Sequence, residues 1–215
     1  MEPSVEQIAY PHSASLRDML PPQPTKGQLR HVLAHRRRVI PGDLVDTTRW
    51  KVINHLRTLI CERGPSVVAL YSATHGEIDL TPLAHELADM NYALALPRVV
   101  YRGHPLTFNI WHPGEALEPD ALGIPSATGA EILPAMMVIP MVGYTRQGYR
   151  LGYGQGYYDH TLASFLQPVF TVGVCHTELE MQNFPAEAHD RPLNAVVTGK
   201  EVIRCTPATP QRVLS

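Results

Sequence analysis

The sequence is short of cysteine, of charge bias and of long apolar runs, and each shortage closes off a class of protein. Its three cysteines, at positions 61, 175 and 205, are too few and too widely spaced for a disulfide framework or a paired-cysteine metal site. They read as reduced, buried thiols. Eighteen Lys and Arg against twenty Asp and Glu leave a formal net charge of −2, without pull toward nucleic acid or an anionic membrane. No apolar run approaches the roughly 18 residues that a membrane span needs. The opening MEPSVEQIAYPHSASLRDML has neither the basic nor the apolar region of a secretory signal.

What is present is a globular composition, 44% hydrophobic over 215 residues, enough for one substantial core. Proline collects at both ends. Residues 1–24, with Pro3, Pro11, Pro21, Pro22 and Pro24 and no apolar period, read as a flexible leader. Residues 206–215 read as a tail, and 25–205 as a single domain.

Within that domain two periodicities alternate. Leu29, Val32 and Leu33 predict a helix over 26–39, and Ile53, Leu56, Leu59 and Ile60 another over 44–61. The β-branched run 66–71 predicts a buried strand. Thr81-Pro82 reads as an N-cap followed by proline at the first helical position, opening a helix to Met90. Further strands are expected over 93–97, 106–111, 136–142, 169–174 and 195–198, with a helix over 157–166. Strands alternating with helices predict an α/β domain built on a mostly parallel sheet flanked by helices.

The stretch GYRLGYGQGYYDHTLASF carries four glycines, at 148, 152, 154 and 156, just before the last of these helices. Glycine costs backbone entropy, so such a run needs a physical reason. One reading is a phosphate cradle, in which Cβ-free backbone and the N–H groups of a helix start approach an anion and Arg150 adds a fork of donors. Asp159 would repel a bare phosphate, and a Mg²⁺ ion between the two removes that conflict. The other reading is a structural turn, with Asp159 complementing the helix dipole. Neither the phosphate-loop motif ending in Lys-Ser/Thr nor the GxGxxG dinucleotide fingerprint is present.

RLGYGQGYYD, residues 150–159, strongly resembles the glycine-rich motif of the 5-formyltetrahydrofolate cyclo-ligases, also called methenyltetrahydrofolate synthetases. The resemblance runs from about Lys26 to Val202 through ordered blocks: KGQLR, LYSATHGEIDL, ALPRV, VIPMVGY and FPAEAHDRPLNAVVT. It implies a fold like those of ribose-phosphate isomerase and glucosamine-phosphate deaminase. It also implies ATP- and Mg²⁺-dependent conversion of 5-formyltetrahydrofolate to 5,10-methenyltetrahydrofolate, in the cytoplasm, without nucleic acid or membrane. By the same resemblance Lys26 and Arg30 contact the ATP phosphates, and Arg150, Leu151, Gly152, Tyr153, Gly154, Gln155, Gly156, Tyr157 and Tyr158 form the nucleotide loop. The stretch from Tyr153 to Tyr157 also borders the folate, together with Ser72 and Glu77. Asp159 and Asp190 hold the metal, and Arg150 and Tyr157 are the candidate catalytic residues.

The chain departs from the family pattern at Tyr144-Thr145, where Phe-Asp is common, at Leu179, where a glutamine is common, and at Gln155, often lysine or glycine. Those departures keep a second class open, a non-catalytic relative that binds nucleotide or folate, beside another ATP-dependent ligase or a sugar-phosphate enzyme on the same scaffold. Arg36, Arg37 and Arg38 read as cations complementing a helix C-terminus. His31 and His35, four apart, lack the third ligand that a zinc site needs.

Overall fold

The computed structural model describes residues 20–64, 66–182, 185–187 and 190–205. The leader reading of 1–24 therefore lies outside the described residues except for 20–24, and the tail 206–215 lies wholly outside them. Thr25 starts helix α1 (Lys26–Arg38) with a reciprocal capping box. Its hydroxyl accepts from the Gln28 N–H at 3.2 Å, and its own N–H donates to Oε1 of Gln28 at 2.9 Å. Leu29, Val32 and Leu33 turn inward as their spacing requires. Helix α2 (Gly42–Arg63) ends at Gly64, whose φ of 80° only glycine adopts freely.

Strand β1 (Val67–Ala69) leads into helix α3 (Thr81–Asp89), strand β2 (Ala93–Arg98) and strand β3 (Thr107–Ile110). A short ladder joins β4 (Glu118–Pro119) to β5 (Pro125–Ser126) before strand β6 (Met136–Pro140). A second short hairpin, β7 (Gly143–Tyr144) with β8 (Arg150–Leu151), precedes helix α4 (Tyr157–Ser164). Strand β9 (Phe170–Val174), a 3-10 turn at Thr177–Leu179, and strands β10 (Ala195–Val197) and β11 (Val202–Arg204) complete the order.

Seven strands form one sheet in the order β11-β10-β9-β6-β1-β2-β3. The five central strands are parallel, and β3 and β11 pair antiparallel at the two edges. Burial on both faces follows from the alternation of side chains along each strand. Met136 and Val138 of β6 pack into a cluster with Leu56 and Ile60 of α2 and Leu83 and Leu87 of α3. Met137 and Ile139 point the other way, into a cluster with Leu29 and Leu33 of α1 and Tyr157 and Leu162 of α4. The result is a three-layer α/β domain, the architecture expected from the alternating pattern.

Several local expectations need correction. Thr81 is not the N-cap of α3; Leu80 is. Asp79 Oδ1 accepts from both the N–H and the hydroxyl of Thr81, at 3.0 and 2.7 Å, so Thr81 is drawn inside the helix. Cys61 is exposed rather than buried, whereas Cys175 and Cys205 are buried. Burial pushes the Cys175 thiol up to about 12, as suits an inert core residue. Edge strand β11 and the two short hairpins were not anticipated, each being two or three residues long and too brief to display a period.

Candidate active site

The chain runs from β1 outward to β2 and β3, then returns to the far side of β1 as β6, so the strand order reverses between β1 and β6. In open parallel sheets that crevice, at the carboxyl ends of the strands, is where ligands bind. A cavity of about 620 Å³ opens there. Tyr71 and Ser72 after β1, Pro97 and Val99 at the end of β2, and Ile139 and Pro140 at the end of β6 form its floor.

Every site residue expected from the sequence lies on this cavity: Lys26 and Arg30 from α1, Ser72 and Glu77 from the loop after β1, all ten residues of 150–159, and Asp190. Their placement has local causes. Lys26 and Arg30 stand one turn apart on one face of α1. His75 and Gly76, at φ 52° and 77°, are consecutive left-handed residues that turn the chain back and aim Glu77 at the cavity. Gly154 and Gly156 have φ of 96° and 71°, and Gly156 is the N-cap of α4. No side chain caps α4, so its first-turn N–H groups have no side-chain acceptor.

The loop is braced by charge. Arg30 Nε donates to the Gly152 carbonyl at 2.8 Å, and an added Cβ on Gly154 would stand 3.1 Å from the Arg30 guanidinium carbon. Arg150, with a side chain only 7% exposed, pairs with Asp159 and donates to the Arg191 carbonyl at 2.9 Å. Lys26 Nζ reaches Asp190 at 2.8 Å and Glu187 at 3.2 Å. Tyr153 and Tyr158 are held as neutral phenols, burial raising both and the Glu77 carboxylate adding to it. Ser72 donates to the Pro125 carbonyl at 2.6 Å, and Leu151 is buried at the base. Tyr157 and Tyr158 both stand on the wall and both pack against the α1–α4 cluster.

Two departures from the family pattern have local explanations. Thr145 is buried, its hydroxyl accepts from the Tyr149 N–H at 3.3 Å and its carbonyl from Gly148 at 3.0 Å, so threonine closes this turn without a carboxylate. Leu179 is fully buried core. Gln155 is exposed on the cavity rim.

Among the described residues no three or more His, Cys, Asp and Glu cluster as a self-sufficient metal site. The donor set still fits magnesium on a nucleotide, because that ion takes one or two carboxylates and draws its other oxygens from phosphate and water. Asp159 and Asp190 supply two carboxylates that basic partners neutralise here.

Sequence reasoning missed Arg37 and Asp120. Arg37, read only as a cation complementing the end of α1, is 6% exposed and reaches the glycine loop. Asp120 accepts from the N–H groups of Val99, Leu122 and Ile124 at 3.0, 2.8 and 3.0 Å, organising a cavity wall. Arg37 falls four residues after buried Leu33, a helical spacing that could have revealed it. Asp120 had no signal.

A family model described as the 5-formyltetrahydrofolate cyclo-ligase family matches residues 22–199. A 5-formyltetrahydrofolate cyclo-ligase of Haemophilus influenzae is 30% identical over 156 residues, covering 69% of this chain and 83% of that protein. One of Escherichia coli K12 is 33% identical over 150 residues, covering 63% and 79%. The solved 5,10-methenyltetrahydrofolate synthetase of Aquifex aeolicus superposes with a TM-score of 0.70 at 29% identity, over 88% of this chain and 99% of that one. That of Mycoplasma pneumoniae, at 19% identity and a TM-score of 0.67 over 81% and 98%, shares the fold.

Proposed function

The chain belongs to the 5-formyltetrahydrofolate cyclo-ligase family, and from that premise we propose how its cavity divides the work. The enzyme converts 5-formyltetrahydrofolate and ATP to 5,10-methenyltetrahydrofolate, ADP and phosphate. A formamide carbon is a poor electrophile because its nitrogen donates into it. Transfer of the γ-phosphoryl group to the formyl oxygen breaks the bond to ADP and turns that oxygen into a leaving group. The neighbouring folate nitrogen, N10, then bonds to the formyl carbon. The carbon–oxygen bond breaks, and the N10 proton leaves with the phosphate. Such a transfer asks for positioning and charge neutralisation more than for an acid or base.

One observation carries the assignment of residues: four chain segments far apart in sequence bring their family-motif side chains to a single cavity at the β1/β6 reversal. Lys26, Arg30 and the backbone of Gly152, Tyr153, Gly154, Gln155 and Gly156 hold the triphosphate. Leu151 anchors that loop in the core, and Tyr158 closes its far side. Ser72, Glu77 and the tyrosine side of the loop hold the folate. Arg150 fixes Asp159 and, with Tyr157, stands against the transferring group. Asp159 and Asp190 hold Mg²⁺, which when bound neutralises charge developing on the phosphates. Cytoplasmic residence belongs to the same reading, since free cysteines suit a reducing compartment.

Purified protein mixed with 5-formyltetrahydrofolate, ATP and Mg²⁺ develops the near-ultraviolet chromophore of the methenyl product; no signal above a boiled control refutes the activity. Calorimetry checks the metal assignment. Mg²⁺ titrated alone gives no binding heat, and Mg²⁺ with a non-hydrolysable ATP analogue does; saturable binding of the metal by itself would contradict a site completed by phosphate.

A further inference from the structure

Arg37 is a buried cation without a direct carboxylate partner among the described residues. Only 6% of it is exposed, its Nε has no hydrogen-bond partner, and Nη1 donates to the Tyr153 hydroxyl at 3.1 Å. A buried guanidinium left partly unsatisfied is destabilising, so its location calls for a compensating role. The compensation passes through the phenol. The Tyr153 O–H donates to Glu77 Oε1, and the Arg37 guanidinium carbon lies 5.6 Å from the centre of the Tyr153 ring. Glu77 Oε2 meanwhile accepts from the N–H and hydroxyl of Thr74, at 2.8 and 3.3 Å. Three of the roughly four acceptor positions of that carboxylate are thus occupied, and its orientation is set.

Arg37 also lies against the turn that presents Glu77. A Cβ on Gly76 would stand 3.8 Å from Arg37 Nε and 3.9 Å from its Cγ. Burial keeps the His176 imidazole below its ordinary pKa, against the opposing pull of the Gly76 backbone and Glu178, and the Arg37 charge acts in the same direction as burial. One side chain from α1 therefore touches both the glycine loop and the turn after β1, where the two segments meet at the Tyr153–Glu77 hydrogen bond.

We infer that Arg37 is a positioning residue for the folate end of the reaction: acting through the Tyr153 hydroxyl, it fixes the Glu77 carboxylate and ties the nucleotide loop to the folate-binding turn. The inference rests on Glu77 meeting the folate, as proposed above. It assigns specificity to position 153 through its hydroxyl, independent of the backbone around it that serves the triphosphate.

The test is steady-state kinetics on Arg37→Met, Tyr153→Phe and the double variant, with Arg37→Lys as the conservative control. Each single variant raises KM for 5-formyltetrahydrofolate about tenfold, with kcat and KM for ATP within about twofold. The double variant is no worse than the worse single one, because the two groups act in series. Arg37→Lys, retaining charge and length, recovers part of the loss. Multiplying effects, an equal rise in KM for ATP, or an unshifted folate KM each overturns the inference. Should Arg37→Met fail to fold, Tyr153→Phe decides alone, since Tyr153 as a residue is 44% exposed and only a hydroxyl is lost. A wild-type protein that converts the folate while the variants stay unshifted refutes the relay and leaves the activity standing. One that binds the folate without converting it removes the activity, and the same comparison is then made on calorimetric Kd values. One that does neither refutes both.

Discussion

Asp159→Asn lowers magnesium-dependent turnover by roughly 100-fold or more, the scale seen when a group that holds or orients a catalytic metal is altered. It lowers stability far less. Asp159 stands at the third position of α4, where a carboxylate favours the helix dipole by about 0.3–1 kcal/mol, and it pairs with Arg150. The asparagine side chain keeps an oxygen that can accept from the same guanidinium, so the remaining cost is the loss of charge assistance. That amounts to about 1–2 kcal/mol, or roughly 3–6 °C in Tm for a domain of this length. The two readings of Asp159 separate on this ratio. A metal ligand loses activity out of proportion to stability, whereas a dipole partner loses both together or neither. Turnover against Mg²⁺ concentration, with Tm measured on the same preparation, checks it; a full kcat regained at saturating Mg²⁺ is the signature of a weakened ligand.

The layers of the fold were legible because burial on two faces writes long apolar runs and one-faced helices write a 3.6 period. The run from Met136 to Pro140 and the inward positions of α2 show this in different ways: Met136 and Met137 face opposite clusters, while Ile53, Leu56 and Ile60 share one. The short pieces were not legible, because β4, β5, β7 and β8 have two residues each and exist through turns and cross-strand partners that a local pattern does not contain. Within the cavity, residues belonging to a contiguous motif could be named in advance. Arg37 offered only its spacing four residues after Leu33, a signal masked by its charged neighbours Arg36 and Arg38, and burial of the middle arginine depends on Gly76 and Tyr153 packing over it. Asp120 is the same kind of case, a carboxylate whose three N–H partners come from its own loop and from the end of β2.

The run of four glycines divides into two jobs that substitution separates. Gly148 closes the turn between β7 and β8 at φ 90°, and an added Cβ would stand 2.9 Å from the Leu193 carbonyl oxygen and 2.9 Å from both Cβ and Sγ of Cys205. The backbone oxygen cannot yield cheaply, because Leu193 N–H donates to the Gly148 carbonyl at 2.9 Å and holds the two segments together. Gly148→Ala therefore combines left-handed strain with overpacking, about 3 kcal/mol, and lowers Tm by roughly 6–12 °C, while enzyme still folded at low temperature turns over normally. Gly154→Ala inverts the pattern. Its φ is 96°, but the nearest atom to an added Cβ is the far end of Arg30, 3.1 Å away, which can move. Stability falls by about 1–2 kcal/mol. The methyl group intrudes where the backbone must approach the phosphates and displaces the guanidinium that braces Gly152, and misplacement on that scale costs on the order of 100-fold in kcat/KM for ATP. Melting curves beside ATP-dependent kinetics for the two variants give opposite rankings if 152–156 is a cradle and 148 a turn. The same ranking in both assays would make the whole run structural and leave the triphosphate to the lysine and arginine of α1.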